Sequence, residues 1–266
     1  MKTRDTASFF ARLAETRSRA LLLNIDVALK LPTKQGNPIL SELRSYIPRL
    51  MKEVNTRLIL ITRNSARELR SKLNLPSSPE IWGNCGLEKL FPDGTYKLTP
   101  IDTRKSRALK AAHYVLADAN LAKCLHENIG AVTLQWQNLS TPAIRHARNL
   151  AFQAWQPIAE SNNLQLKECA TGMELRLHEC DPACAIRSML AEPDPPEMII
   201  YVGDDRIDEN AFRTLRAQDF AVLLCMEQRD TIADARISSC EDLEHLFSTS
   251  VTACDSSENT EHSSNV

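Results

Sequence analysis

At 266 residues the chain can build one large domain or a core with a smaller inserted lobe. With 43% hydrophobic and 25% charged residues it has the composition of an ordinary globular protein. A net charge of −2 and a pI near 6.3 argue against nucleic acid or an anionic membrane surface as partner. No apolar run approaches the ~20 residues that cross a bilayer.

The segment before Arg19 carries Phe9, Phe10 and Leu13 among Arg, Asp5 and Glu15. It reads as an amphipathic helix on the core. Ala20 to Asp26 reads as a buried strand ending in polar residues. A helix is expected from Pro38 to Val54. Arg57 to Thr62 is a second buried strand, Ser65 to Leu73 a second helix, and Glu80 to Gly83 a third strand. Strands alternating with helices predict a parallel sheet with crossover helices. Phe91 to Thr95 is a turn, punctuated by Pro92, Asp93 and Gly94. A long helix is expected over Thr103–His126, a strand over Ala131–Trp136 and a helix over Pro142–Asn162. Strands follow over Leu164–Cys169 and Met173–His178. The rhythm changes in this stretch, which predicts a small inserted α+β lobe.

Beyond it come a helix over Pro182–Ala191, a strand over Met198–Val202 and a helix over Asn210–Arg216. A strand over Phe220–Leu224 and a short helix over Thr231–Ala235 complete the pattern. The residues from Ser248 onward are nearly all polar and predict a disordered tail. The expected fold class is therefore α/β, a Rossmann-like parallel sheet with helices on both faces and an inserted α+β cap. The expected division is a discontinuous core of residues 1–98 and 180–248, a cap of 99–179 and a tail of 249–266. Eight cysteines form no CxxC pair. Cys180 and Cys184 with His178 make only a weak zinc pattern, so the thiols read as small core hydrophobes in a reducing cytoplasm.

Ligands of open α/β sheets bind at the carboxyl ends of parallel strands. Two strand ends carry acids here. The first has Asn24 and Asp26, and the last has Asp204, Asp205, Asp208 and Glu209. Hard oxygen donors on neighbouring strand ends suit magnesium, and magnesium suits a phosphate. The plainer reading is a turn and a helix N-terminus, with Asp208 and Glu209 complementing the helix dipole. The pairing of two acidic strand ends favours the metal.

These residues carry a resemblance. Gly203 to Phe212, GDDRIDENAF, resembles the GDDxTDExxF signature of the trehalose-phosphatase family within the haloacid dehalogenase-like (HAD-like) superfamily. Leu21 to Leu29 sits where that family has LLLDYDGTL. Leu60 to Thr62 is similar to its strand ending in Ser or Thr. Gly83 to Glu88, followed by Pro92 to Gly94, resembles its G-x-H-G-L-E and P-D-G. Glu174 to Arg176 sits at its E-x-R strand. The resemblance spans roughly residues 18 to 248. It implies an aspartyl-phosphate mechanism at position 24, with Asp26 as general acid and base. It implies Thr62 and a Lys at position 182 as phosphate ligands. Magnesium would be held by Asp204, Asp205, Asp208 and the Asp26 carbonyl. Glu174, Gln135 and Gln137 would stand at the sugar.

Two of those positions are changed. Position 24 is Asn, whose amide is a poor nucleophile and a weaker magnesium ligand. Position 182 is Pro, which removes a cation aimed at the transferring phosphoryl group. Val27 and Ala28 stand where the family has Gly and Thr, and Cys85 stands for its His. Three functions follow from this pattern. One is an impaired phosphatase that binds a phosphosugar such as trehalose 6-phosphate, in regulation or beside a protein partner. The second is an active magnesium-dependent phosphatase. The third is a non-catalytic interaction module.

Overall fold

A computed structural model describes residues 16, 18–28, 44, 47–52, 55–169, 171–203, 206–224 and 229–237, with the backbone alone at 27, 28 and 169. The helix expected before Arg19, most of the one over Pro38–Val54, the tail, Asp204 and Asp205 lie outside these residues.

The apolar runs form a parallel sheet because each is covered on both faces. β1 (Arg19–Asn24) is buried along its length and passes into a short helical turn, α1 (Ile25–Ala28). β2 (Thr56–Ile61) is followed by α2 (Ala66–Leu73) and β3 (Glu80–Gly83). Two three-residue strands, β4 (Glu88–Leu90) and β5 (Tyr96–Leu98), come next. Then follow α3 (Thr103–Leu116), β6 (Leu125–Asn128), β7 (Ala131–Gln135), α4 (Thr141–Asn162), β8 (Gln165–Cys169) and β9 (Gly172–Arg176). The last described part holds α5 (Pro182–Leu190), β10 (Met198–Gly203), α6 (Asp208–Thr214), β11 (Phe220–Leu224) and β12 (Ala235–Ile237).

The eight-stranded sheet has the order β12-β11-β10-β1-β2-β3-β4-β5. It is parallel from β12 to β3, and β4 pairs antiparallel to β3. Alternation along the strands feeds two cores. Leu21, Leu23, Leu58, Leu60, Ile200 and Val202 point to one face, where Leu69 and Leu73 of α2 pack with Ile47 and Leu50 of a helical turn. Leu22, Ile59, Ile61, Ile199 and Tyr201 point to the other. There they meet Ile186 and Met189 of α5 and Ala211 and Phe212 of α6.

The chain divides into two compact units, Met1–Tyr96 with Asp181–Val266, and Lys97–Cys180. The second unit has an antiparallel sheet ordered β6-β7-β9-β8. Val132 and Leu134 register with Leu175 and Met173, so one sheet face is apolar. The two helices of this unit are joined at Trp155, whose Nε1 donates to the Ala112 carbonyl across 2.9 Å.

Three expectations need correction. The long helix over Thr103–His126 ends at Leu116. Asn120 is left-handed at φ 64°, and the chain then enters β6, a strand the helix-forming composition conceals. Thr231–Ala235 is not helical. Ala221 N–H donates to Asp234 Oδ2, Asp234 N–H donates back to the Ala221 carbonyl, and the chain continues into β12 beside β11. Asp26 lies in the helical turn α1 and not on β1.

Candidate functional site

The carboxyl ends of β1, β2, β3 and β10 lie side by side in the sheet, and each contributes a polar group. β1 ends on Asn24, and the turn of α1 carries Asp26 just beyond it. Asp26 is gripped by the exit of β2. Its Oδ1 accepts from the Thr62 hydroxyl at 2.6 Å and from Asn64 Nδ2 at 3.3 Å. Its Oδ2 accepts from the Arg63 backbone N–H at 2.8 Å. The Arg63 guanidinium, with a half-exposed side chain, reaches to 4.0 Å of the same oxygen. A hydroxyl, an amide and a cation thus meet at one carboxylate.

The exit of β3 is sewn to the same loop. Cys85 N–H donates to the Thr62 carbonyl, and Asn84 N–H to the Asn64 carbonyl, both at 3.0 Å. To make these bonds Asn84, Cys85 and Gly86 are all left-handed, with φ of 49°, 56° and 99°. Asn adopts this conformation readily, whereas Cys85 carries strain of about 1 kcal/mol or more. Beneath the turn, the buried Glu88 accepts from Ala66 N–H, Asn84 Nδ2 and the Tyr96 hydroxyl at 2.6, 2.8 and 2.7 Å. Burial and the bond to Glu88 push the Tyr96 hydroxyl up to about 12, against the lowering effect of Arg67. Gly83 is glycine because a Cβ there would stand 2.4 Å from both Ala66 N and Glu88 Oε1.

From the other side comes Asp208, the first residue of α6 and fully buried. Its Oδ1 accepts from the Tyr201 hydroxyl at 2.7 Å. Asn24 Nδ2 lies 3.3 Å from Asp208 Oδ2 and 3.5 Å from Oδ1. The Asp208 side chain folds over Gly203, where a Cβ would stand 2.5 Å from its Cγ. Asn24 Oδ1, at a residue 8% exposed, finds no donor among the described residues.

Glu209 does not join this group. Its Oε1 pairs with Arg229 at 2.6 Å, and its Oε2 accepts from Ile232 N–H at 3.1 Å. Burial pushes its carboxyl up. The Ile232 N–H, the Thr231 hydroxyl and the Arg229 guanidinium outweigh that and hold it below the usual carboxylate range. Pro182 is buried at the first position of α5. The neighbouring Asp181 caps that helix through Ala183 N–H and accepts from Asn210 Nδ2.

No family model matches the sequence, and no curated protein is significantly similar to it. Solved structures match it over nearly its full length. The C-terminal domain of Candida albicans trehalose synthase regulatory protein superposes with a TM-score of 0.70 at 11% identity, covering 94% of this chain and 99% of that one. Aspergillus fumigatus trehalose-6-phosphate phosphatase gives 0.62 at 15% identity, with 96% and 99% covered. A haloacid dehalogenase-like hydrolase from Bacteroides thetaiotaomicron gives 0.54 at 13%, with 87% and 99% covered. The chain has the HAD-like fold.

In the HAD-like sheet the Asn24 and Asp26 side chains stand at the exit of the central strand. HAD-like hydrolases generally use magnesium, so the donors around Asp208 are the ones to test. In the orientation seen, with a donor nitrogen and not an oxygen facing the carboxylate, Asn24 and Asp208 do not fit a cation between them. Among the described residues no three His, Cys, Asp or Glu side chains converge on a point, so the weak zinc pattern at His178, Cys180 and Cys184 forms no such cluster either. Asp204 and Asp205 lie outside the described residues.

The other candidate residues belong to the second unit. Glu174 lies on β9, opposite Thr133 and Lys167 and 3.7 Å from Arg176. Gln135 ends β7 opposite Gly172, and Gln137 follows it in the loop; both are exposed. Glu174 and Gln135 share the polar face of this sheet, away from Val132 and Leu134.

Sequence reasoning missed Arg63, Asn64 and Tyr201. Arg63 and Asn64 directly follow Thr62, a position that could have drawn attention to them. Tyr201 reads as one more apolar residue of a buried strand.

Proposed function

We propose that the chain binds a phosphorylated sugar at the carboxyl ends of β1 and β2 without hydrolysing it efficiently. One observation carries this reading. The Asp26 cluster gathers Thr62, Arg63 and Asn64, while the neighbouring position 24 offers an amide with no anionic oxygen for attack at phosphorus. Asp26 keeps the acid/base position and Thr62 the phosphate position. With Pro182 in place of a cation, the charge of a phosphate falls to Arg63. Glu174, Gln135 and Gln137 are the proposed sugar contacts, and Asp204, Asp205 and Asp208 the remaining acids.

The likeness to the C-terminal domain of a trehalose synthase regulatory protein supports a role in regulation, beside a protein partner, more than one in turnover. A reducing cytoplasm suits thiols such as those of Cys85, Cys124, Cys180 and Cys184. Among the described residues no helix is long and apolar enough to cross a membrane.

The test measures phosphate release from trehalose 6-phosphate, with magnesium present, by the native chain and by an Asn24→Asp, Pro182→Lys double variant. Calorimetry measures binding in parallel. Binding by both chains with turnover only in the double variant supports the proposal. Native turnover well above the uncatalysed rate, abolished by Asp26→Asn, would show an active phosphatase. Absence of binding in both would leave an interaction module.

A further inference from the structure

A buried carboxylate is costly unless donors or a cation satisfy it. Asp208 is fully buried at the end of the central strands, beside a site where the fold commonly holds a divalent ion. Among the described residues two neutral groups reach its oxygens: the Tyr201 hydroxyl at 2.7 Å and the Asn24 amide nitrogen at 3.3 and 3.5 Å. Three elements therefore converge on one carboxylate, β1 through Asn24, β10 through Tyr201 and α6 through Asp208 itself. The close approach of Asp208 to Gly203 fixes the geometry.

The amide has a single workable orientation in this arrangement. Turned over, it would set Oδ1 against the carboxylate oxygens, a repulsion that only a cation between them would relieve. In the observed orientation the donor faces Asp208 and the acceptor Oδ1 is left without a donor among the described residues. An unmet buried acceptor is unfavourable, and an unmet buried carboxylate is more so, which decides the orientation of the amide.

We infer that Asn24 takes over the task of a cation at Asp208, so that this HAD-like site folds and keeps its shape without a divalent ion. The inference goes beyond phosphosugar binding and does not depend on it, and it uses neither Asp204 nor Asp205. An Asp at position 24 would reverse the situation. Two carboxylates would then face each other in a buried site beside the Tyr201 hydroxyl.

The experiment is thermal unfolding of the full chain and of Asn24→Asp at pH 8, each in EDTA and in millimolar magnesium. The native melting temperature is expected to be the same in both. That of Asn24→Asp is expected to fall by about 5 °C in EDTA and to recover with magnesium. A variant that folds only when magnesium is present gives the same result in stronger form. A native chain stabilised by magnesium as much as the variant overturns the inference. So does an Asn24→Asp protein as stable as the native chain in EDTA, or one that fails to fold in both. Magnesium titrated calorimetrically into the native chain gives a second reading. Heat of binding there overturns it, and a flat titration supports it.

Discussion

The Thr62 hydroxyl donates to Asp26 Oδ1 across 2.6 Å, tying the exit of β2 to the turn that follows β1. Thr62 is buried, and its oxygen also accepts from Asn64 N–H at 3.0 Å, so one hydroxyl organises the whole loop. Thr62→Val keeps the shape and removes both bonds. A hydrogen bond to a charged partner contributes about 1.5–3 kcal/mol. The expected loss is about 2 kcal/mol in urea unfolding, with Thr62→Ser close to native. Equal stability of the Val and Ser variants would show that the hydroxyl does not organise the loop.

Arg63 separates binding from folding. Its side chain is 49% exposed and its guanidinium stands at 4.0 Å from Asp26, so the pair contributes little to stability. Arg63→Ala is expected to change unfolding free energy by less than about 0.5 kcal/mol. Affinity for trehalose 6-phosphate is expected to fall about tenfold, the equivalent of ~1.4 kcal/mol. Titration calorimetry measures it. Unchanged affinity in a chain that binds the ligand would remove Arg63 from the site.

The sheet was legible because β1, β2, β3, β10 and β11 are short continuous apolar runs, as strands covered on both faces must be. β4, β5 and β12 were not, since three residues are too few to show a period. β6 was hidden by a different cause. The Ala- and Leu-rich stretch from Ala111 to Leu125 favours helix, and the break comes from the left-handed Asn120. At the site, the sequence pointed to Asn24, Asp26, Thr62 and Asp208. It also grouped Glu209 with the metal acids, because adjacency in sequence does not tell that the next residue of a helix points about 100° away. Tyr201 was invisible because its use depends on Asp208 lying over Gly203, a tertiary contact.

Glu88 should be among the least replaceable residues of the first unit. It is 1% exposed and its oxygens are satisfied by three donors from three places in the chain, Ala66, Asn84 and Tyr96. Glu88→Ala leaves those donors unmet, two of them buried at Ala66 and Asn84, with an expected loss of about 3 kcal/mol or more. Tyr96→Phe removes one donor and should cost about 1 kcal/mol. Gly83→Ala is expected to be as harmful as Glu88→Ala, since the new Cβ meets backbone at Ala66. Chemical unfolding of the three variants ranks them. A Tyr96→Phe loss equal to that of Glu88→Ala would mean that the Tyr96 bond alone carries the network.

Glu209 predicts a pH dependence with a definite sign. Burial raises its pKa, but Ile232 N–H, the Thr231 hydroxyl and Arg229 together bring it below the ordinary value. A carboxyl whose pKa is lower in the folded chain contributes stability that is present above its unfolded pKa, about 4.3. That contribution disappears as pH falls through the lower, folded pKa. Glu209→Gln cannot titrate, so it lacks the contribution at every pH. The native chain is therefore expected to exceed Glu209→Gln in stability most clearly above about pH 5, with the gap closing as pH drops toward 3. Arg229→Ala should narrow the gap at neutral pH, because it removes one of the three groups that favour the charged form. Denaturant unfolding at stepped pH measures both effects. A gap that stays constant from pH 3 to 6 would mean that Glu209 acts here through packing, and that its charge contributes nothing to the fold.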